Sequence, residues 1–166
     1  MQRIFRTALL ISGLFLAGCA SYRPLYGTAP NGASVAATLS EVSISEQRTR
    51  AGQLVRNEVL TSSGQNSVSR YELRLVPAEK TIAVSDLAGT NTKRKRYNLS
   101  VGYELLDLKS GKVVTKGSSF SNVSFDTVRE PVADLQAANS AQGRAAQEVG
   151  QDLKLRLAAF IVAHSG

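Results

Sequence analysis

The feature that most constrains the fold is a strict alternation of side chains from Tyr97 to Leu105. Odd positions are apolar and even positions are polar or small, as in a strand with one buried and one solvated face. The stretch Asp107–Lys112 then supplies a turn, in which Gly111 suits a positive φ, and Val113–Phe125 returns as the hairpin partner. The sequence therefore predicts an antiparallel sheet with one apolar face.

Two further segments have strand character. Val35–Ser45 is predicted to form a first strand. Tyr71–Leu75 alternates strictly and is predicted to continue through Ile82 and Val84, with a break at Pro77.

Two segments have the spacing of amphipathic helices. Arg48–Leu60 places apolar residues at i, i+3 and i+4 and is followed by Ser62–Gly64, which ends it. A longer helix begins near Pro131, with Gly143 and Gly150 as its weak points. Its predicted apolar stripe consists of Ala138, Ala145, Ala146, Val149, Leu153, Leu157, Phe160 and Ile161. Helices that flank a run of antiparallel strands favour an α+β two-layer sandwich.

The N-terminus has the anatomy of a secretory signal. Arg3 and Arg6 precede an apolar run of about nine residues, which ends in small residues. The run is shorter than the roughly 20 residues that a membrane-spanning helix needs. Residues 1–18 are therefore predicted to be a signal peptide, residues 19–34 a lipidated cysteine and tether, and residues 35–166 a single domain.

Cys19 is the only cysteine, so it can form neither an intramolecular disulfide nor a multi-cysteine metal site. Leu16–Cys19 (LAGC) resembles a bacterial lipobox, in which the thiol is lipidated and the chain is cut before it. The alternative is a buried thiol in the first helix of a soluble protein. Two or three acyl chains would anchor the protein stably, whereas one would not. Because Ala20 rather than an aspartate follows the cysteine, the usual sorting pattern points to the outer membrane.

The charge balance suggests an acidic partner. The chain has 20 Lys+Arg and 13 Asp+Glu, and removal of Arg3 and Arg6 leaves 18 minus 13, or +5. Export out of the cytoplasm argues against nucleic acid as the partner. The only histidine, His164, and the scattered carboxylates show no spacing typical of a nucleophile with its base or of a metal site, so we expect no catalytic residues, no metal and no cofactor besides the lipid. These carboxylates are Asp126, Asp134, Glu148 and Asp152.

Several short motifs together resemble the lipopolysaccharide-assembly lipoprotein LptE family. The most specific is Tyr22–Gly27 (YRPLYG), directly after the lipobox. Arg56-Asn57 resembles part of that family's first helix, Tyr97–Leu105 its central strand, and Ser124–Asp126 the aromatic and Asn/Asp pair before its last helix. The resemblance spans nearly all of the mature chain.

This resemblance implies two helices packed on one face of a mostly antiparallel four-stranded sheet. It also implies a non-enzymatic role. Proteins of this family plug the large outer-membrane barrel LptD from the periplasmic side, help it to fold, and bind lipopolysaccharide on its way to the outer leaflet.

The candidate ligand-binding residues are basic strand residues that could pair with lipid phosphates. Alternate members of Lys93–Arg96, either Arg94 with Arg96 or Lys93 with Lys95, share a face of a strand and would form a two-cation clamp. Arg70 and Arg74 would join them if their strand lay beside this one. The alternative for the run is a solvated strand end that resists edge pairing. On the first helix, Arg48, Arg50 and Arg56 are expected to be solvated.

The candidate partner-docking residues follow the lipid attachment point: Tyr22, Arg23, Pro24, Leu25 and Tyr26. They are either a strip that docks on the barrel wall or an ordinary linker. Two other functional classes compete with the LptE interpretation. One is an auxiliary lipoprotein of a transport complex, and the other is a periplasmic enzyme.

Overall fold

A computed structural model describes residues 39–61, 69–86 and 92–164 of the chain. The elements follow in the order β1 (Val42–Ile44), α1 (Arg50–Leu60), β2 (Tyr71–Asp86), β3 (Lys93–Asp107), β4 (Lys112–Thr127) and α2 (Pro131–His164). The strands form one sheet in the order β1-β2-β3-β4. The β1 strand runs parallel to β2, and the other two pairs are antiparallel.

The two helices pack on one face of this four-stranded sheet, which confirms the predicted α+β sandwich. We call the other side the open face. The odd-numbered residues from Tyr97 to Leu105 are buried under the helices, as the alternation predicted. Gly111 has φ 67° in the β3–β4 turn, also as predicted.

Two strand predictions were wrong in extent. Of the predicted first strand, residues 35–38 lie outside the described residues. In the described remainder only Val42–Ile44 form a strand, because the pairing with β2 ends at Leu73. The predicted break at Pro77 does not occur, and β2 continues to Asp86. Beyond Leu73 no described strand pairs with the outer edge of β2, and a strand with a free edge tolerates a proline that lacks an N–H donor.

Helix α1 is fixed by its N-cap and by its contact with β1. The Thr49 Oγ1 atom accepts a hydrogen bond from the Gly52 N–H at 3.1 Å, which satisfies one of the free donors of the first turn. Arg48 and Arg50 are exposed as expected. Arg56 is only half-exposed, because its Nε donates to the Ile44 carbonyl at 3.3 Å, so its predicted solvation was wrong.

Helix α2 begins at Pro131, as predicted, and its buried residues lie in its C-terminal two thirds, from Ala141 to Ile161. Gly150, predicted to be a weak point of the helix, is also a site where α2 lies close against α1. A Cβ atom built at Gly150 would lie 2.5 Å from Glu58 Cγ and 3.5 Å from the Val55 carbonyl oxygen. Next to it, Lys154 Nζ forms a 2.8 Å ion pair with Glu58.

The sheet has two distinct ends. The chain enters β1 beside Tyr71, and Tyr71 pairs with Asp107 in β3, so the chain's point of entry and the β3–β4 turn share one end. We call this the proximal end. The opposite, distal end holds the start of β3, the end of β4 and the start of α2, because Lys93 pairs with Thr127. Within the part of the chain described, no helix is long and apolar enough to cross a membrane.

Candidate ligand and partner surface

The basic run Lys93–Arg96 lies at the distal end, where β3 begins. Its members alternate between the faces as predicted. Arg94 and Arg96 are exposed on the open face, whereas Lys93 and Lys95 are partly buried on the side of the helices. Each face of the sheet therefore carries two of the four cations.

Arg94 is already held by a carboxylate of the neighbouring strand. Its Nε and Nη2 atoms donate to the two oxygens of Asp126 at 2.8 and 3.1 Å, a bidentate pair across the β3–β4 register. The hydrogen bond from Arg94 lowers the pKa of Asp126 and in turn raises the pKa of Arg94. A phosphate that bound Arg94 would have to compete with Asp126.

Arg96 and Lys95 form no ion pair with any side chain in the described parts of the chain. Arg96 lies between Ile82 of β2 and Ser124 of β4 in the register of the sheet. Within the basic run, an anionic ligand could therefore pair with Lys95 and Arg96 without breaking an ion pair of the described residues.

The expected convergence with Arg70 and Arg74 was wrong. β2 does lie beside β3, but the antiparallel register places Arg74 opposite Glu104, ten residues or about 33 Å along β3 from Arg94. Arg74 instead pairs with Glu72 at 3.1 Å. Arg70 precedes β2 at the proximal end and lies over the ring of Tyr71 at 5.0 Å.

The distal end also carries an exposed apolar cluster that the sequence analysis missed. Val128, Val132 and Leu135 are 50%, 68% and 62% exposed, and we call them the apolar tip. The signal was present in the sequence, because Val132 and Leu135 are one helical turn apart, before the predicted core stripe begins at Ala138.

The corner between β4 and α2 fixes the apolar tip. Arg129 has φ 62°, a left-handed conformation that is uncommon for a residue with a Cβ atom. The Asp134 Oδ1 atom accepts a 2.7 Å hydrogen bond from the Val128 N–H, which fastens the corner to the first turn of α2. An acidic side chain there also interacts favourably with the helix dipole.

A polar cluster ties β2, β3 and α2 together near the distal end. The Tyr97 hydroxyl donates to Glu79 Oε2 at 2.5 Å, and the Gln142 side-chain amide donates to the same oxygen at 3.0 Å. Burial, together with the hydrogen bond to Glu79, raises the pKa of Tyr97 to about 12. The cluster holds the otherwise exposed second half of β2 against the rest of the sheet.

The middle of the open face is partly apolar. Val76 and Phe120 are 69% and 74% exposed, and Gly102 lies between their strands. Because Gly102 has no side chain, a shallow depression of about 580 Å³ forms there, and Arg74, Glu104 and Lys116 line part of it. Four residues before Gly102 on β3, the Asn98 Oδ1 atom is buried and has no hydrogen-bond partner within the described ranges.

The carboxylates of α2 have structural partners. The Ser119 hydroxyl donates to Asp152 at 2.6 Å, and the Ser121 hydroxyl donates to Glu148 at 2.5 Å, both beneath the helix. Neither pair includes a histidine, since His164 lies against the Phe160 ring at the end of α2. Among the residues described, no group of three or more His, Cys, Asp or Glu side chains could hold a metal ion.

The predicted lipid attachment point, Cys19, lies outside the described residues. So does the predicted docking strip, which consists of Tyr22, Arg23, Pro24, Leu25 and Tyr26.

The chain resembles solved structures of bacterial lipoproteins. A candidate lipoprotein from Caulobacter crescentus CB15 superposes with a TM-score of 0.69 at 28% identity, over 78% of this chain and 96% of that one. A minor lipoprotein from Acinetobacter baumannii superposes with a TM-score of 0.53 at 13% identity, over 71% and 90% of the two chains, a likeness of fold alone. No protein-family profile and no curated protein matches the chain.

Proposed function

We propose that this chain is an outer-membrane lipoprotein of the LptE type, anchored through Cys19 on the periplasmic side. In this role it plugs and helps to assemble an LptD-type barrel and binds lipopolysaccharide. Three observations support the proposal: the lipobox, the likeness to a lipoprotein at 28% identity, and the two-layer fold. Its action is non-enzymatic and requires no cofactor beyond the lipid.

The proposed binding of lipopolysaccharide rests on the combination of cations and exposed apolar side chains at the distal end. Lys95 and Arg96 have no described ion-pair partner, and the apolar tip follows directly after Thr127, which pairs with Lys93. Lipopolysaccharide carries phosphates beside acyl chains, so a surface that offers both types of contact suits it. The guanidinium of Arg96 can bind a phosphate in a bidentate manner.

The position of this surface also supports the proposal. The chain enters the fold at the proximal end, so a lipid on Cys19 would be joined to that end through a tether of about 20 residues. The distal end, about 50 Å away along a 16-residue strand, would then face the partner and ligand rather than the anchoring membrane.

The proposed association with an LptD-type barrel is tested by affinity purification from detergent-solubilised outer membranes, with a C-terminal tag on the processed chain. A large barrel protein at one-to-one stoichiometry supports the plug role. An eluate that holds an inner-membrane transporter without a barrel would instead favour the auxiliary-lipoprotein alternative.

The ligand part is tested by the double variant Lys95→Glu/Arg96→Glu, which reverses one cation on each face. We expect lipopolysaccharide binding to weaken by at least about tenfold, since each charge-assisted contact is worth roughly 1.5–3 kcal/mol. The matched control is Lys109→Glu/Lys112→Glu, two exposed cations at the proximal end. Equal weakening by both double variants would show that only net charge matters and would contradict a distal site.

A further inference from the structure

The two outer edges of the sheet differ in how they resist pairing with another strand. Edge strands of soluble proteins are commonly blocked by proline, charge or a bulge. The outer edge of β2 carries Pro77 and Lys80, and its register shifts between Ala83 and Ser85. In β4, the stretch Gly117–Phe125 has nine residues without a charge, a proline or a register shift. No described strand covers its outer edge.

The charges that flank this stretch are self-complementary. Lys116 and Asp126 lie on the open face, each five positions from Ser121. If two β4 strands paired antiparallel about a two-fold axis at Ser121, Lys116 of each copy would lie opposite Asp126 of the other. Moving the axis by one residue would place Asp126 opposite Val114 or Ser118 and would lose both ion pairs.

The same register extends an alternation of charge across the junction. Within one copy, Arg94 lies beside Asp126 and is bonded to it at 2.8 Å. In the other copy, Lys116 lies beside Glu104, which lies opposite Arg74. Across the junction, the row would consist of Arg94 and Asp126 of one copy, followed by Lys116, Glu104 and Arg74 of the other. The sign of the charge alternates at every step. The two-fold axis generates a second, identical row.

The register also covers the most exposed of the large apolar side chains described. Phe120 is 74% exposed on the open face. In the two-fold pairing it would lie opposite Asn122, so the two Phe120 rings would be diagonal neighbours on one face. Diagonal neighbours are about 7–8 Å apart, within reach of aromatic side chains. Ser118 would lie opposite Ser124, so no charged side chains would face each other at that position.

We propose that two copies of this chain associate through antiparallel pairing of their β4 strands, centred on Ser121, into one continuous eight-stranded sheet. The occupant of the edge is a second copy because the pattern of charge matches itself. This association does not depend on the proposed LptE-type role. It uses only the outer edge of β4 and requires no partner other than a second copy.

Cysteine cross-linking tests the register. Ser118→Cys and Ser124→Cys are made separately in the mature chain with Cys19→Ser, at two exposed positions of the open face. Directly opposed residues have Cα atoms 4.5–5.5 Å apart, which suits a disulfide. We expect a cross-linked dimer when the two variants are mixed and oxidised, and little when either is oxidised alone. Cross-linking of each variant with itself, or none in the mixture, would overturn the proposal.

Sedimentation equilibrium tests the charge pairing without added cysteines. Lys116→Glu would place two carboxylates opposite each other at both ends of the interface, and we expect it to raise the dimer dissociation constant at least about tenfold. Lys112→Glu on the same strand is the control with the same change of net charge and should leave it unchanged. A parent chain that stays monomeric from micromolar to millimolar concentration, or equal effects of both variants, would refute the proposal.

Discussion

The contact between the two helices gives the sharpest prediction, because α2 contains two glycines in opposite surroundings. A Cβ atom at Gly143 would meet nothing within 4 Å, whereas one at Gly150 would lie 2.5 and 2.7 Å from Glu58 Cγ and Cβ. Gly→Ala in a helix is worth about 1 kcal/mol of stability when the added methyl group is accommodated. Gly143→Ala should therefore stabilise the protein by about that amount.

Gly150→Ala receives the same helix-propensity gain but must push α1 away from α2. Overpacking of a well-packed contact costs typically about 1–3 kcal/mol. The Glu58 atoms involved are near its backbone, so rotation of that side chain cannot remove the overlap easily, and the nearby Lys154–Glu58 ion pair would be disturbed too. We expect Gly150→Ala to be less stable than Gly143→Ala by about 1–3 kcal/mol, the size of the packing term alone.

Urea unfolding of the mature chain with Cys19→Ser, followed by circular dichroism, measures this difference. The midpoints of the two variants should lie on opposite sides of the parent midpoint, or Gly150→Ala should at best equal the parent. If Gly150→Ala were stabilising to the same extent as Gly143→Ala, the close approach of the helices at that residue would be refuted.

Three further predictions concern single side chains. Ser121→Ala removes the hydrogen bond to the Glu148 carboxylate and should cost about 1.5–3 kcal/mol in the free energy of unfolding, measured in urea; an unchanged midpoint would contradict a structural role. Leu153→Ala, at a fully buried position, should cost about 2–5 kcal/mol, seen as a lower thermal midpoint, and a loss under 1 kcal/mol would contradict its burial. The folded-state pKa of Tyr97 is raised to about 12, so its contribution to stability is complete below the ordinary pKa near 10 and is lost as the pH rises through 12; Tyr97→Phe should abolish that part of the loss between pH 10 and 12, and an unaltered profile would count against it.

The local pattern of the sequence was enough to place β3 and α2. The alternation from Tyr97 to Leu105 set which side chains are buried, because successive residues of a strand point to opposite faces whatever lies around them. Pro131 and the stripe through Leu153 likewise gave the long helix. The same alternation divided the basic run between the two faces of the sheet, two cations on each.

Which strands, side chains and helices contact one another was decided only by the tertiary structure. No local signal shows that β2 runs unbroken past Pro77, since this depends on a free edge that exists only in the assembled sheet. The register put Arg74 at the end opposite to Arg94, and it gave Arg94 a carboxylate partner, because antiparallel pairing fixes distances between residues far apart in sequence. Gly150 looked like a defect in a helix and is a contact between two helices, because close approach is a property of the pair.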